Sequence, residues 1–248
     1  MPGPIQSLSR GAALLRLLAT GEGRLGLSDA ASSLGLPKGT VYGILRTLRQ
    51  EGFVEQDPVS GKYGLGAELA RLGGRYLQTH ELRAHALAWA DDLARSTGEA
   101  VHVGVPHRSG VLIVHHVFRP DNTRQVLETG TVVPLGDTAL GAVLGAYTSE
   151  SPQLPASWAD HGSSTAFGDS PEAVRDRGWA CVPGPARDGT ASIAVPIRDR
   201  WRAAVAAVSV TGSADRVCPD DSVRASLVSA ARTCARSISR SLGDTDRP

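Results

Sequence analysis

A chain of 248 residues with 26 Lys/Arg, 25 Asp/Glu and a formal net charge of +1 has room for about two domains with substantial cores, but lacks the charge excess that would draw it to nucleic acid indiscriminately. Its three cysteines, Cys181, Cys218 and Cys234, are odd in number and share no CxxC-type spacing, which argues against a disulfide framework or structural zinc and for reduced, buried thiols. No apolar run approaches the roughly 20 residues of a membrane span and the N-terminus has no charged-then-apolar leader, so a cytoplasmic protein without a membrane partner is expected.

Leu8, Ala12, Leu15 and Leu18 recur at helical spacing and predict a first helix. Residues 27–48, LSDAASSLGLPKGTVYGILRTL, then have the spacing of two helices joined by a tight turn. Ser28 is a suitable N-cap, and Ala30, Ala31 and Leu34 face a core. Gly35 supplies the left-handed residue that stops the helix, and Pro37 fits the first turn of the next, where no amide hydrogen is needed. In that second helix Val41, Leu45 and Leu48 form an apolar stripe with Ile44 at its margin, leaving a cationic, hydrogen-bonding outer surface. A helix of this kind enters a major groove N-terminus first, so Lys38, Thr40, Tyr42 and Gly43 are the candidate base readers, and Arg46 and Arg49 the candidate phosphate contacts. An ordinary helical hairpin with a solvated basic face has the same spacing. The residues that follow favour DNA: Phe53, Val54, Tyr63 and Leu65 have strand character, and Asp57-Pro58 with Ser60-Gly61 supplies a turn between them. Lys62 at the tip is placed to reach a phosphate or a minor groove, and together these make a winged helix-turn-helix over 1–66. Nine Lys/Arg face six Asp/Glu in 1–76, against seventeen and nineteen in the remainder, so the modest positive excess lies in the predicted DNA-binding part. With so little charge, dimerisation is expected to supply much of the affinity.

Residues 67–80 read as a linker helix with a break near Thr79, Leu69, Leu72, Tyr76 and Leu77 sharing one face; an exposed apolar stripe of this kind suits self-association. A second domain, 81–248, begins with the helical pattern of Leu82, Leu87, Ala90 and Leu93. EAVHVGV and VLIVHHVF read as one hairpin, ASIAVPI and AAVAAVSV as another. Residues 138–147 and 171–177 are short helical segments, and 220–242 a long amphipathic one. Strand pairs interleaved with helices predict an α+β fold, an antiparallel sheet with flanking helices of the sort that cups a small ligand.

These motifs, in this order, resemble those of IclR-type transcriptional regulators over nearly the whole chain: QSLSRGAALLRLLA, the 27–66 block, PLGDTALGAVLGAY, and SIAVPIRD with AAVAAVSVTG. The N-terminal block, with its GILRTL ending, is most similar to the actinobacterial glycerol operon regulators. The resemblance implies a winged-helix domain, a linker helix and a GAF-like effector domain, acting as homodimers or homotetramers on palindromic double-stranded operators, often as a repressor released by a metabolite. Many members carry arginine where this chain has Gly43, so its operator sequence does not follow from theirs. The resemblance places the effector over the sheet, against the amides of Ala139 and Leu140 and the polar groups of Ser192, Ser209 and Thr211. Hydroxyls and amides suit a small oxygen-rich anion or polyol without a cofactor. Val182 stands where a relative that binds small acids has a carboxylate.

His102, His115 and His116 suggest a metal site only superficially, because successive strand residues face opposite sides and no cysteine or carboxylate completes the set. Asp137, Thr138, Ser209 and these histidines give no nucleophile, base and orienter in sequence, so no catalytic residue, metal or cofactor is assigned. The expected function is a repressor of a glycerol-type carbon-source operon. The alternatives are an IclR-type activator or secondary-metabolism regulator with another effector or none, and a sensor module or enzyme whose N-terminal helices mediate protein contacts.

Overall fold

The computed structural model describes residues 3–20, 23–79, 81–108, 110–121, 125–147, 170–183, 189–219 and 222–244. It divides the chain into two compact units, residues 1–79 and 80–248.

The first unit contains α1 (Gln6–Thr20), α2 (Leu27–Leu34), α3 (Lys38–Gln50), strands β1 (Val54–Gln56) and β2 (Tyr63–Leu65), and α4 (Ala67–Thr79). Leu14 and Leu18 of α1, Ala30 and Ala31 of α2, Val41 and Leu45 of α3, and Val54 and Tyr63 of the strands share one core. Each leucine fully buried there contributes about 1.5–3 kcal/mol relative to solvent exposure. The α1 face differs from the predicted one: Leu14 and Leu18, one turn apart, point inward, whereas Leu8 is 68% exposed. At the start of α2 the cap is Gly26, and Ser28 lies inside the first turn without a capping bond. Gly35 ends α2 with φ 62°, its amide bonding back to the last turn, and Pro37 occupies the N-cap of α3 instead of its first turn.

The second unit is a six-stranded antiparallel sheet in the order β5-β4-β3-β8-β7-β6. Its strands are β3 (Ala100–His107), β4 (Gly110–Val117), β5 (Val132–Val133), β6 (Ala180–Pro183), β7 (Thr190–Arg198) and β8 (Ala204–Ser213), with helices α5 (Glu81–Thr97), α6 (Ala139–Ala146), α7 (Pro171–Arg177), α8 (Ala214–Val217) and α9 (Ala225–Ser241). Helices α5 and α9 pack against each other and against the sheet, while α6, apolar all round, packs on β4, β6, β7 and β8 with α7 beside it. The terminal helix starts at Ala225 and not at 220, because Ser222 to Arg224 run outside helical geometry, the Arg224 amide bonding to the Val217 carbonyl. Two glycines fix close approaches: a Cβ on Gly141 would sit 2.3 Å from the Leu135 carbonyl oxygen, and one on Gly212 would sit 2.3 Å from a Glu99 carboxylate oxygen. Glu99 is buried and takes both arms of Arg216, at 2.5 and 3.0 Å, fixing α8 to the start of β3 and holding the Arg216 pKa above its ordinary value.

Candidate functional site

In the first unit the helical period sorts the polar groups of α3 onto two surfaces. Lys38, Tyr42, Arg46 and Arg49 follow one another at three- and four-residue steps on an exposed face, with the Tyr42 side 51% exposed. Thr40 and Gly43 lie elsewhere, lining an apolar groove of about 590 Å³ with Leu8 and Gly11 of α1, Ile44, and Phe53. Arg49 Nη1 donates to Gln56 Oε1 on the wing at 2.7 Å, tying the end of α3 to β1. The first amides of α3, those of Lys38 and Gly39, have no helical acceptor, the condition under which a helix N-terminus binds an anion.

The wing is a short ladder with Val54 opposite Leu65 and Gln56 opposite Tyr63. Asp57 builds its turn: one carboxylate oxygen accepts from the Val59 amide at 3.0 Å, the Ser60 amide at 2.7 Å and the Ser60 hydroxyl at 3.0 Å. These bonds, the Ser60 amide first, hold the Asp57 carboxyl below its usual pKa. Arg24, in the segment before α2, bridges Glu55 at 2.9 Å and Asp57 at 2.5 Å. Lys62 is exposed, but at the base of this turn instead of its tip, its carbonyl accepting from the Asp57 amide at 2.8 Å.

In the second unit all five residues picked out as effector contacts line one cavity of about 250 Å³: Ala139, Leu140, Ser192, Ser209 and Thr211. Strand register explains the convergence. Ser192 pairs with Thr211, and Ser209 lies two residues before Thr211 on the same face and pairs with His102. The floor is therefore a patch of hydroxyls from neighbouring strands. Above it α6 begins: Thr138 caps the helix by accepting from the Gly141 amide at 3.1 Å while donating to the Pro134 carbonyl at 2.8 Å. The Ala139 and Leu140 amides are left without helical acceptors at the cavity edge.

Sequence reasoning did not place His102, Glu128, Asp137, Thr138 and Thr190 at this cavity, which they also line. His102 Nε2 is buried and lies 3.2 Å from Glu128 Oε2, close enough for an ion pair but bent away from hydrogen-bond geometry. Proximity to the His102 ring keeps the Glu128 carboxyl below its usual pKa against the opposing effect of burial. His116 stacks on His102 with ring centroids 4.3 Å apart, and its Nδ1 accepts from the Glu128 amide at 3.2 Å. Burial, reinforced by the neighbouring His102, lowers the His116 pKa to about 4, so its ring is neutral at neutral pH. A bulge makes this arrangement. Val103 pairs with His115 but Gly104 with Ile113, leaving Val114 as an extra residue, so that Ile113 and His116 reach the same face. His115 and His116 point to opposite sides, as strand alternation requires. Burial also lowers the His115 pKa. Among the described residues no group of three or more His, Cys, Asp or Glu is placed to hold a metal ion, and no helix is long and apolar enough to cross a membrane.

A winged helix-turn-helix unit joined to an α+β unit with a polar cavity is the architecture of a bacterial transcriptional regulator. The model of the IclR helix-turn-helix domain matches residues 7–58, and that of the bacterial transcriptional regulator IclR C-terminal domain matches residues 74–240. The chain belongs to the IclR family of transcriptional regulators, which bind DNA. It is 58% identical over 246 residues to the glycerol operon regulatory protein of Streptomyces coelicolor, covering 96% of this chain and 97% of that protein. It is 56% identical over the same length to the protein of the same name from Streptomyces griseus, with the same coverage. The crystal structure of an IclR transcriptional regulator from Alicyclobacillus acidocaldarius aligns with a TM-score of 0.77 at 25% identity, covering 97% of this chain and all of that one.

Proposed function

We propose that this protein represses a glycerol-type carbon-source operon and is released from its operator by a small, oxygen-rich metabolite. Residues 1–66 read the DNA, 67–80 connect, and 81–248 bind the effector and hold the oligomer. Lys38 and Tyr42 meet base edges at the N-terminal end of α3, with Thr40 and Gly43 turned toward the groove against α1, while Arg46, Arg49 and the wing's Lys62 meet phosphates. Since the net charge is only +1, affinity comes from two recognition helices of a dimer or tetramer engaging a palindromic duplex. The effector is held between the Ala139 and Leu140 amides and the hydroxyls of Ser192, Ser209 and Thr211, and it acts through its different affinity for the DNA-competent and DNA-incompetent arrangements. The observation that carries this reading is the 58% identity to the glycerol operon regulatory protein of Streptomyces coelicolor over 96% of the chain, a span that includes both α3 and the cavity.

Fluorescence anisotropy on duplex from the gene's own upstream region, against scrambled duplex, with and without glycerol and glycerol 3-phosphate, tests it. The expected result is specific binding that either compound abolishes. Specific binding that ignores both removes the glycerol-type effector, and no specific binding at moderate salt removes the operator assignment.

A further inference from the structure

The three cysteines fall into two chemical classes. Cys234, on α9, is buried, its thiol 3.5 Å from the Trp89 carbonyl oxygen and its pKa pushed up by burial to about 12, which leaves it almost wholly protonated. Cys181 and Cys218, 37 residues apart in the chain, place their sulfurs 2.9 Å from one another, about 0.9 Å beyond the ~2.0 Å of a disulfide bond. Neither position is loose. Cys181 sits in β6, in register opposite Ile193 of β7, and is completely buried. Cys218 follows directly on α8, its amide bonding the Ala214 carbonyl at 2.7 Å, and α8 is itself fixed by the Arg216–Glu99 pair. Cys218 is half-buried where Cys181 is completely buried, so it is the more accessible residue of the two.

We propose that Cys181 and Cys218 form a two-electron redox pair that closes to an intramolecular disulfide on meeting a hydroperoxide. The Cys218 thiolate attacks the terminal peroxide oxygen; an S–O bond forms, the O–O bond breaks, and the alkoxide or hydroxide leaves with the thiol's proton as alcohol or water. The Cys181 sulfur, already in contact, then displaces the sulfenic oxygen: the S–S bond forms, the S–O bond breaks, and the second thiol proton departs in water. With hydrogen peroxide the sum is two thiols and one peroxide to one disulfide and two waters. A dithiol reverses the step by exchange. The bond joins edge strand β6 to the segment after α8, enclosing β7 and β8, the strands that carry Ser192, Ser209 and Thr211. This pair stands independently of the effector assignment.

The test uses the reduced full-length protein, treated with one equivalent of hydrogen peroxide, then alkylated with N-ethylmaleimide, digested and mapped by mass spectrometry. The expected result is a Cys181–Cys218 cross-linked peptide in monomeric chains, with Cys234 alkylated, full recovery of three alkylated thiols after dithiothreitol, and a melting temperature several degrees higher in the oxidised form. Cys234→Ser keeps the cross-link. Cys181→Ser, checked for folding by its reduced-state melting curve, leaves a sulfenic acid at Cys218 that dimedone traps. Three thiols still alkylated after peroxide, sulfinic acids without a cross-link, or linkage through Cys234 or between chains would each overturn the proposal.

Discussion

Helix α3 presents its exposed polar groups on thirteen consecutive residues, whereas the cavity of the second unit is assembled from β3, β4, β5, β7, β8, the start of α6 and the residues around Glu128. In the first case one helix packed on Val41 and Leu45 positions the whole surface, so each side chain stands or falls alone. In the second, no residue has a place until the strands pair, and every hydroxyl depends on the register of its neighbours. Local failure therefore injures the two functions differently.

The largest effect should come from cutting into the core that supports α3. Leu45→Ala is expected to destabilise the first unit by about 2–5 kcal/mol and to abolish specific duplex binding, while calorimetric binding of effector to the second unit persists. Loss of both activities would show that the units do not melt independently. Next come the surface groups themselves: Tyr42→Ala should shift preference among operator variants by about 1–3 kcal/mol, and Arg46→Ala should weaken binding to all sequences while reducing the salt slope by about 1, both read from anisotropy titrations. Identical responses from the two variants would break the division into base reader and phosphate contact. Ser209→Ala, in a buried strand position, is expected to cost about 1 kcal/mol in effector affinity, roughly fivefold, with effector-free DNA binding unchanged. The last effect is in pH. His116 titrates at about 4 in the folded chain against 6.5 when unfolded, so between these values the unfolded chain holds the extra proton. Stability is thus complete above about pH 6.5 and declines as pH falls toward 4; the lowered Glu128 carboxyl acts in the same direction further down. His116→Gln should flatten the melting-temperature profile across that window, and an unchanged slope would clear His116 of the effect.

Why one region was easier to read than the other follows from the same contrast. The 3.6-residue period of α3 is written in consecutive residues, and so are the turn at Gly35 and the wing turn at Asp57. Cap identities were missed by one or two positions because Gly26 and Ser28 both suit a helix start, and the bond from the Ala30 amide to the Gly26 carbonyl starts α2 at Leu27. In α1 several leucines compete, and the position of α2 and α3 turns Leu14 inward and leaves Leu8 out. In the second unit the two hairpins were legible, and family resemblance pointed to Ser192, Ser209 and Thr211, but the place of His102 beside Ser209 is a property of the β3–β8 pairing, which joins strands a hundred residues apart. The extra residue at Val114 shifts the phase of β4, so that His116 shares a face with Ile113, while His115 and His116 keep the opposite sides that alternation assigns them. The meeting of Cys181 and Cys218 has no sequence spacing that announces it.

Arg24 gives the wing a different electrostatic character from the one its composition suggests. Duplex DNA is approached through a long-range field, and uncompensated carboxylates at 55 and 57 would repel phosphate as the wing closed on the backbone. A single guanidinium from the segment before α2 pairs with both, so one of the two negative charges is cancelled and the exposed Lys62, where the turn closes, balances the other. The chain thereby brings an acidic hairpin to neutrality with a residue from outside it, which removes its repulsion of a polyanion.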